Sequence, residues 1–392
     1  MTNNASIPTP EELVARARVM IPMLRERADE VEKRRSVPPD IIKGFVDAGF
    51  FRILQPRRWG GYEMSPIVLM RVLQELGRGC GSSAWNMMIL GIHTWEFGLM
   101  DPRAGDDVWG MDQNAIVASS YPPAGTMTEV EGGYILNGRW PTSSGCDHGQ
   151  WAFIGALKKD AEGRPVDRYA LLVPASDYEI IDDWFVFGLA GTGSKSLLLK
   201  NVFVPSHRAH SMMDYSLTDR GSMYLYPFNM IFYSAVSSVV LGFARGAIDI
   251  FIEQMKVRKD MGTGMATSLN PYVKDRLANA VAKVRSSSAR LEQMMAETTV
   301  KVERRELIPV EDRVHYMLDS ARIGRESEEA VLLLFKALSA RGIYLSNPMQ
   351  RVLRDTLAGA NHITQDADNN AGVLGGMLLG QPLPPLMYSR PE

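Results

Sequence analysis

The chain has 392 residues, 45% of them hydrophobic and 22% charged, with a formal net charge of -2. That length buries a large core in two or three domains or layers, and the composition is that of a soluble globular protein. The near-neutral balance gives no electrostatic reason to expect nucleic acid or an anionic membrane as a partner.

From the start, Met1 to Met20 lacks the basic and apolar regions of a secretion signal. Thr9-Pro10-Glu11-Glu12 predicts a capped helix start, followed by Leu13, Ala17, Met20, Ile21 and Leu24 at helical spacing. A second helix is expected from Pro39 to Gly49, and a third from Ser65-Pro66 through Leu76. Gly81 to Leu99 forms a fourth apolar segment, and residues 1–122 read as a helical domain. Residues 123–228 read as a β domain, a small barrel or sandwich: turn signals such as Gly132-Gly133 and Asn137-Gly138 flank short alternating runs. Strands are expected at 151–157, 169–174, 178–181 and 196–205, with a loop at 160–165. Helical periodicity returns over residues 229–392, where Val273 to Val302 has neither Gly nor Pro, and a proline-rich tail closes the chain. The apolar run Met230 to Ala244 contains serines and ends at Arg245, so it reads as too short and broken for a bilayer span.

Cys80 and Cys146, the only cysteines, make neither a disulfide framework nor a CxxC metal site, and a cytoplasmic location is expected. The 23 methionines suit adaptable core filling, or a repackable apolar pocket. There is no Walker A, no GxGxxG after a strand, no HExxH and no GxSxG. His93-Thr-Trp-Glu96 is a solitary, reversed Glu-x-x-His, and His362, Asp366 and Asp368 lack a second cluster, so no metal is expected.

The helix–β–helix order resembles the acyl-CoA dehydrogenase superfamily. Pro56 to Gly61 is similar to its early Pro…Gly-Gly turn. Gly188 to Ser194 leading into Val202-Phe-Val204-Pro205 resembles its β-domain signature, and Arg354-Asp355 its Arg-Asp pair. Trp140-Pro-Thr-Ser143-Ser144-Gly145-Cys146-Asp147-His148 resembles a narrower group, the flavin-dependent phenol hydroxylases. That group includes the oxygenase components acting on 4-hydroxyphenylacetate and on seco-steroid phenols. Trp85 with His93, Ser119-Ser120 and Arg354 with His362 fall at matching spacings. Ile363 stands where many acyl-CoA dehydrogenases carry their catalytic Glu, and an isoleucine cannot abstract an α-proton.

The resemblance implies an oxygenase component that takes reduced FMN or FAD from a separate NAD(P)H:flavin reductase by transient contact. It implies that such a component forms a C4a-hydroperoxyflavin with O2 and hydroxylates a phenolic substrate, and that it is a homotetramer. N- or S-oxygenation with the same flavin cycle, and a non-catalytic flavin-binding relative, stay open. Implied site roles are catalytic for His93, Ser144 and His362, and substrate-binding for His93, Ser119, Trp85 and Thr142. Implied cofactor contacts are Trp140, Ser143, Ser144, Thr192, Ser194, His362 and, from a neighbouring subunit, Arg258. On the residues alone, Ser144 also fits a strand turn, His93 a satisfied core histidine, His362 a helix end, Arg258 a solvated helix-end charge, and the tryptophans plain packing. Thr142 and Leu357 depart from Trp and His in the phenol hydroxylases, leaving the substrate open.

Overall fold

Thr9 caps the first helix, α1 (Pro10–Glu26): its hydroxyl accepts from the Glu12 amide, while the Thr9 amide donates to the Glu12 carboxylate. The computed structural model describes residues 7–213 and 221–384. Five further helices complete the first part: α2 (Ala28–Arg34), α3 (Pro39–Asp47), α4 (Pro66–Gly77), α5 (Gly81–Ile92) and α6 (Pro102–Trp109). α5 is buried almost all round because its residues are apolar or small on every face. It tightens into a 3-10 turn, His93–Leu99, which carries the rest of the fourth apolar segment.

Among the described residues eight strands follow: β1 (Val117–Ser120), β2 (Thr126–Val130), β3 (Gly133–Ser143), β4 (Trp151–Lys159), β5 (Pro165–Pro174), β6 (Glu179–Ile181), β7 (Lys195–Pro205) and β8 (Ala209–Ser211). They form two four-stranded sheets, ordered β1-β4-β5-β8 and β2-β3-β7-β6. The first strand precedes residue 123: Val117–Ser120 pairs in parallel with β4, a long-range contact with no local turn signal.

The last part contains α7 (Phe228–Val257), α8 (Pro271–Glu303), α9 (Val310–Ala337), α10 (Pro348–Ala360) and α11 (Ala367–Leu378). α7 packs against α4, α9 and α10. Where α7 crosses α4, a side chain at Gly242 would sit 2.7 Å from the Gln74 carbonyl, so the backbones approach only because both Gly77 and Gly242 lack one. The expected shortness of the apolar run at 230–244 is overturned. It belongs to a 30-residue helix long and apolar enough to cross a membrane, but 78% of its apolar window is buried within the protein. Its serines do not break it, because Ser237 and Ser238 return their hydroxyls to carbonyls one turn back. Met87, Met88, Met294, Met295 and Met349 fill the core. Most of the proline-rich tail, residues 385–392, lies outside the described residues.

Candidate active site

The segment Ser143 to His148 is not a continuous strand. β3 bulges between Trp140 and Ser143, with Thr142 at φ 61, and Gly145 at φ 69 turns the chain into a short 3-10 helix, Cys146–His148. This geometry leaves Ser144 buried beside the turn that carries Thr192 and Ser194. Their side chains form a row of hydrogen bonds. The Trp85 indole N–H meets Ser144 Oγ at 3.2 Å, Ser144 Oγ meets Ser194 Oγ at 2.7 Å, and Ser194 Oγ meets Thr192 Oγ1 at 2.6 Å.

The row has a direction. Thr192 Oγ1 lies 2.8 Å from the Leu189 carbonyl, which can only accept, so Thr192 donates there. Ser194 must then donate to Thr192, and Ser144 to Ser194. Ser144 accepts from Trp85 and keeps one lone pair unspent. Ser143 Oγ, of the preceding residue, is buried without a hydrogen-bond partner among the described residues.

His362 joins this group through Trp85, whose ring meets the imidazole edge-on with centroids 5.6 Å apart. His362 follows α10 and caps a 3-10 turn, Ile363–Gln365: its Nδ1 accepts from the Thr364 amide at 3.3 Å. The remaining proton is therefore on Nε2. Removal from water lowers its pKa to about 4, so the ring is a neutral N–H donor near neutral pH. Ile363 is exposed.

Asp355 ties these parts together. It is buried, accepts from the Leu189 amide at 2.7 Å, and packs its carboxylate against Gly81 at the start of α5. Burial pushes its pKa up to about 6 against the opposing Leu189 bond. A side chain at Gly188 would lie 2.1 Å from the Arg354 carbonyl, so only glycine lets the turn seat on α10.

His93 forms a second group at the end of α5, about 12 Å along the axis from Trp85 by the helical rise. It is fully buried. Its Nδ1 lies 2.6 Å from Glu96 Oε1, and the Tyr121 hydroxyl also donates to that oxygen. His210 Nε2 reaches Glu96 Oε2 at 3.1 Å, while His210 Nδ1 reaches the Ser211 carbonyl at 2.9 Å. Burial alone would push the Glu96 pKa up, but the bonds from His210 and His93 hold it below the ordinary carboxylate range. Rings of Tyr121, Phe153 and Phe232 surround His93 at 5.3, 6.0 and 5.2 Å between centroids. His93 Nε2 is buried with no hydrogen-bond partner among the described residues.

Several expected site residues lie elsewhere. Trp140 is fully buried, and its N–H is spent on the Gly155 carbonyl at 2.7 Å, so it packs the β domain. Thr142 is exposed because the bulge turns it outward, and it does not join buried His93. Ser119 is buried on β1, two residues before Tyr121. Arg258 ends α7 and donates to the Leu338 carbonyl at 3.2 Å. It stands about 39 Å along that helix from Phe232, beyond reach of His93 in its own chain. Cys146 is buried, and its pKa is pushed up to about 12, which makes the thiol inert. Among the described residues no cluster of three potential ligands could hold a metal. Glu96, Tyr121 and His210 were not anticipated as site residues. The His93–Glu96 spacing of three, which puts both on one helical face, was the available signal.

The donor set fits a flavin edge. Ser144 offers a lone pair and His362 a neutral N–H, both against Trp85, and the neighbouring Ser143 carries a buried hydroxyl without a partner among the described residues.

Two family descriptions match the chain: acyl-CoA dehydrogenase, N-terminal domain, over residues 12–99, and acyl-CoA dehydrogenase, C-terminal domain, over residues 234–367. The chain is 35% identical over 373 residues to the flavin-dependent monooxygenase oxygenase subunit HsaA of Rhodococcus jostii, covering 93% of this chain and 97% of that protein. It is 31% identical to the p-hydroxyphenylacetate 3-hydroxylase oxygenase component of Acinetobacter baumannii, covering 94% and 89%. The solved structure of 3-HSA hydroxylase from Rhodococcus sp. RHA1 superposes with a TM-score of 0.91 at 34% identity, covering 96% and 98%.

Proposed function

We infer the function from the premise that this chain belongs to the acyl-CoA dehydrogenase family and, within it, to the oxygenase components of flavin-dependent monooxygenases. It is a reduced-flavin-dependent hydroxylase of phenolic substrates. In the reading we propose, Ser144 and His362 hold the flavin, and His93 binds the phenol hydroxyl. The observation that carries this is His93 Nε2, a buried and unpartnered acceptor among aromatic rings.

Reduced FMN or FAD, when bound, supplies two electrons and activates dioxygen, so that one oxygen atom enters the ring and the other leaves as water. The protein's part is to bind, orient and hold protons. Ser144's spare lone pair suits an N–H donor, which reduced flavin carries at N5 and oxidised flavin does not. His362 donates from Nε2 to a developing negative charge. His93 Nε2 takes the phenol proton, and the resulting phenolate makes the ring carbons more nucleophilic. Rings packed around His93 keep water out.

A separate NAD(P)H:flavin reductase delivers the flavin, and the contact is transient. The assembly is a homotetramer in the cytoplasm. Exposed apolar residues at the α7–α8 connection, Val257, Met261, Met265, Leu269 and Tyr272, support association. Arg258, remote from its own chain's buried site, is suited to the flavin phosphate of a neighbouring subunit. Two buried free cysteines are compatible with a reducing compartment.

The test offers phenols, amines, indoles and thiophenes to the protein with a flavin reductase. Catechol-type products from phenols are expected. Selective N- or S-oxygenation would replace this reading with the alternative oxygenase chemistry.

A further inference from the structure

The His93 group contains more than a base requires. Glu96 is fully buried, and a carboxylate there costs several kcal/mol unless it is paired and hydrogen-bonded. It receives three donors from three parts of the fold. His93 donates from the 3-10 turn at 2.6 Å, Tyr121 from the end of β1, and His210 from β8 at 3.1 Å. His210 is placed between the Ser211 carbonyl at Nδ1 and the Glu96 carboxylate at Nε2. The carboxylate can only accept. His93 must therefore keep its proton on Nδ1, which leaves Nε2 bare. Nε2 is also the atom that no group among the described residues satisfies.

We propose that Glu96 is a positioning residue for hydroxylation: it holds His93 in the tautomer whose bare Nε2 takes the proton of a bound phenol. This rests on the phenol-hydroxylase reading above. In the step, the phenol O–H bond breaks and an Nε2–H bond forms, giving phenolate and an imidazolium whose charge faces the Glu96 carboxylate. The electron pair stays on the phenol oxygen. Tyr121 and His210 keep Glu96 an acceptor. Among the described residues, the other rings against His93 are Phe153 of β4 and Phe232 of α7.

Glu96→Gln tests the proposal. The amide side chain can donate to Nδ1 and so move the histidine proton to Nε2. The expected result is a kcat for hydroxylation lower by about a hundredfold, the order a general base contributes. The KM for the phenol should change little. Activity should recover as pH rises towards the phenol's own ionisation, a profile that a merely structural defect would not produce. Unchanged kcat and pH profile in Glu96→Gln, beside an impaired His93→Ala, would overturn the proposal and leave the functional reading standing. A second measurement needs neither turnover nor a variant that folds. In flavin-free wild-type protein labelled with 15N-histidine, the His93 signals at neutral pH should report a protonated Nδ1 and a bare Nε2. The opposite tautomer overturns the role of Glu96. If the protein hydroxylates no phenol, the functional reading fails, while the tautomer remains measurable by itself.

Discussion

Removing the Ser194 hydroxyl should weaken the protein's discrimination between reduced and oxidised flavin. In the wild type the row runs from Trp85 through Ser144 and Ser194 to Thr192 and the Leu189 carbonyl, with heavy-atom distances of 3.2, 2.7, 2.6 and 2.8 Å. Each hydroxyl proton is committed towards Leu189, so Ser144 can only accept from a ligand. Ser194→Ala ends the row at Ser144 and frees its proton, which can then be donated to the bare N5 of oxidised flavin. A neutral hydrogen bond is worth about 0.5–1.5 kcal/mol net. At about 1.4 kcal/mol per tenfold, oxidised flavin should bind roughly two- to twelvefold tighter. Affinity for reduced flavin should stay the same or fall. Fluorescence titration of oxidised flavin and an anaerobic titration of reduced flavin measure both affinities. Equal shifts in the two, or none, would refute the direction assigned to the row.

Gly188→Ala should destabilise the protein by about 1–3 kcal/mol or more, because its methyl group would lie 2.1 Å from the Arg354 carbonyl. A thermal melt reads this, and a wild-type midpoint would contradict the seating of the turn on α10. Asp355→Asn can keep the Leu189 bond without the buried charge. The folded pKa of about 6 lies above the ordinary 3.8, so the stability Asp355 lends is fully present below pH 3.8 and lost as pH rises through 6. The variant should therefore melt higher than wild type at pH 8 and not at pH 3.5; no gain at pH 8 would count against a buried, destabilising charge. His362 has the opposite sign: its pKa falls from 6.5 to about 4, so unfolding is favoured as pH falls through that window. His362→Gln should flatten the acid side of the stability curve between those values, and an unchanged curve would place the loss elsewhere.

The helices were legible where local chemistry specifies them. The Thr9 capping box and the glycine after α3 mark real ends, because both satisfy backbone groups within a few residues. β1 was not legible, since its parallel partner lies over thirty positions away and its side chains are buried throughout. The nature of α7 was misread for a related reason: whether serines break an apolar helix depends on carbonyls one turn back, not on composition. In the site, Ser144, Trp85 and His362 do come together. Trp140 and Thr142 do not, because a bulge reverses the alternation that places side chains along β3. Glu96 stood in plain view three residues after His93, but as part of a failed metal motif. Its partner His210 comes from a strand 114 residues further on, and only the folded chain joins them.

The central claim is that this chain inserts one atom of dioxygen into a phenol at the expense of reduced flavin. Mass spectrometry of the product formed under 18O2, with chemically reduced flavin as the sole electron source, tests it directly. The predicted result is one 18O atom per hydroxylated phenol and no NADH oxidation by the chain alone. Hydrogen peroxide without labelled product across a broad phenol panel, or reduction of bound flavin by an acyl-CoA, would contradict the account.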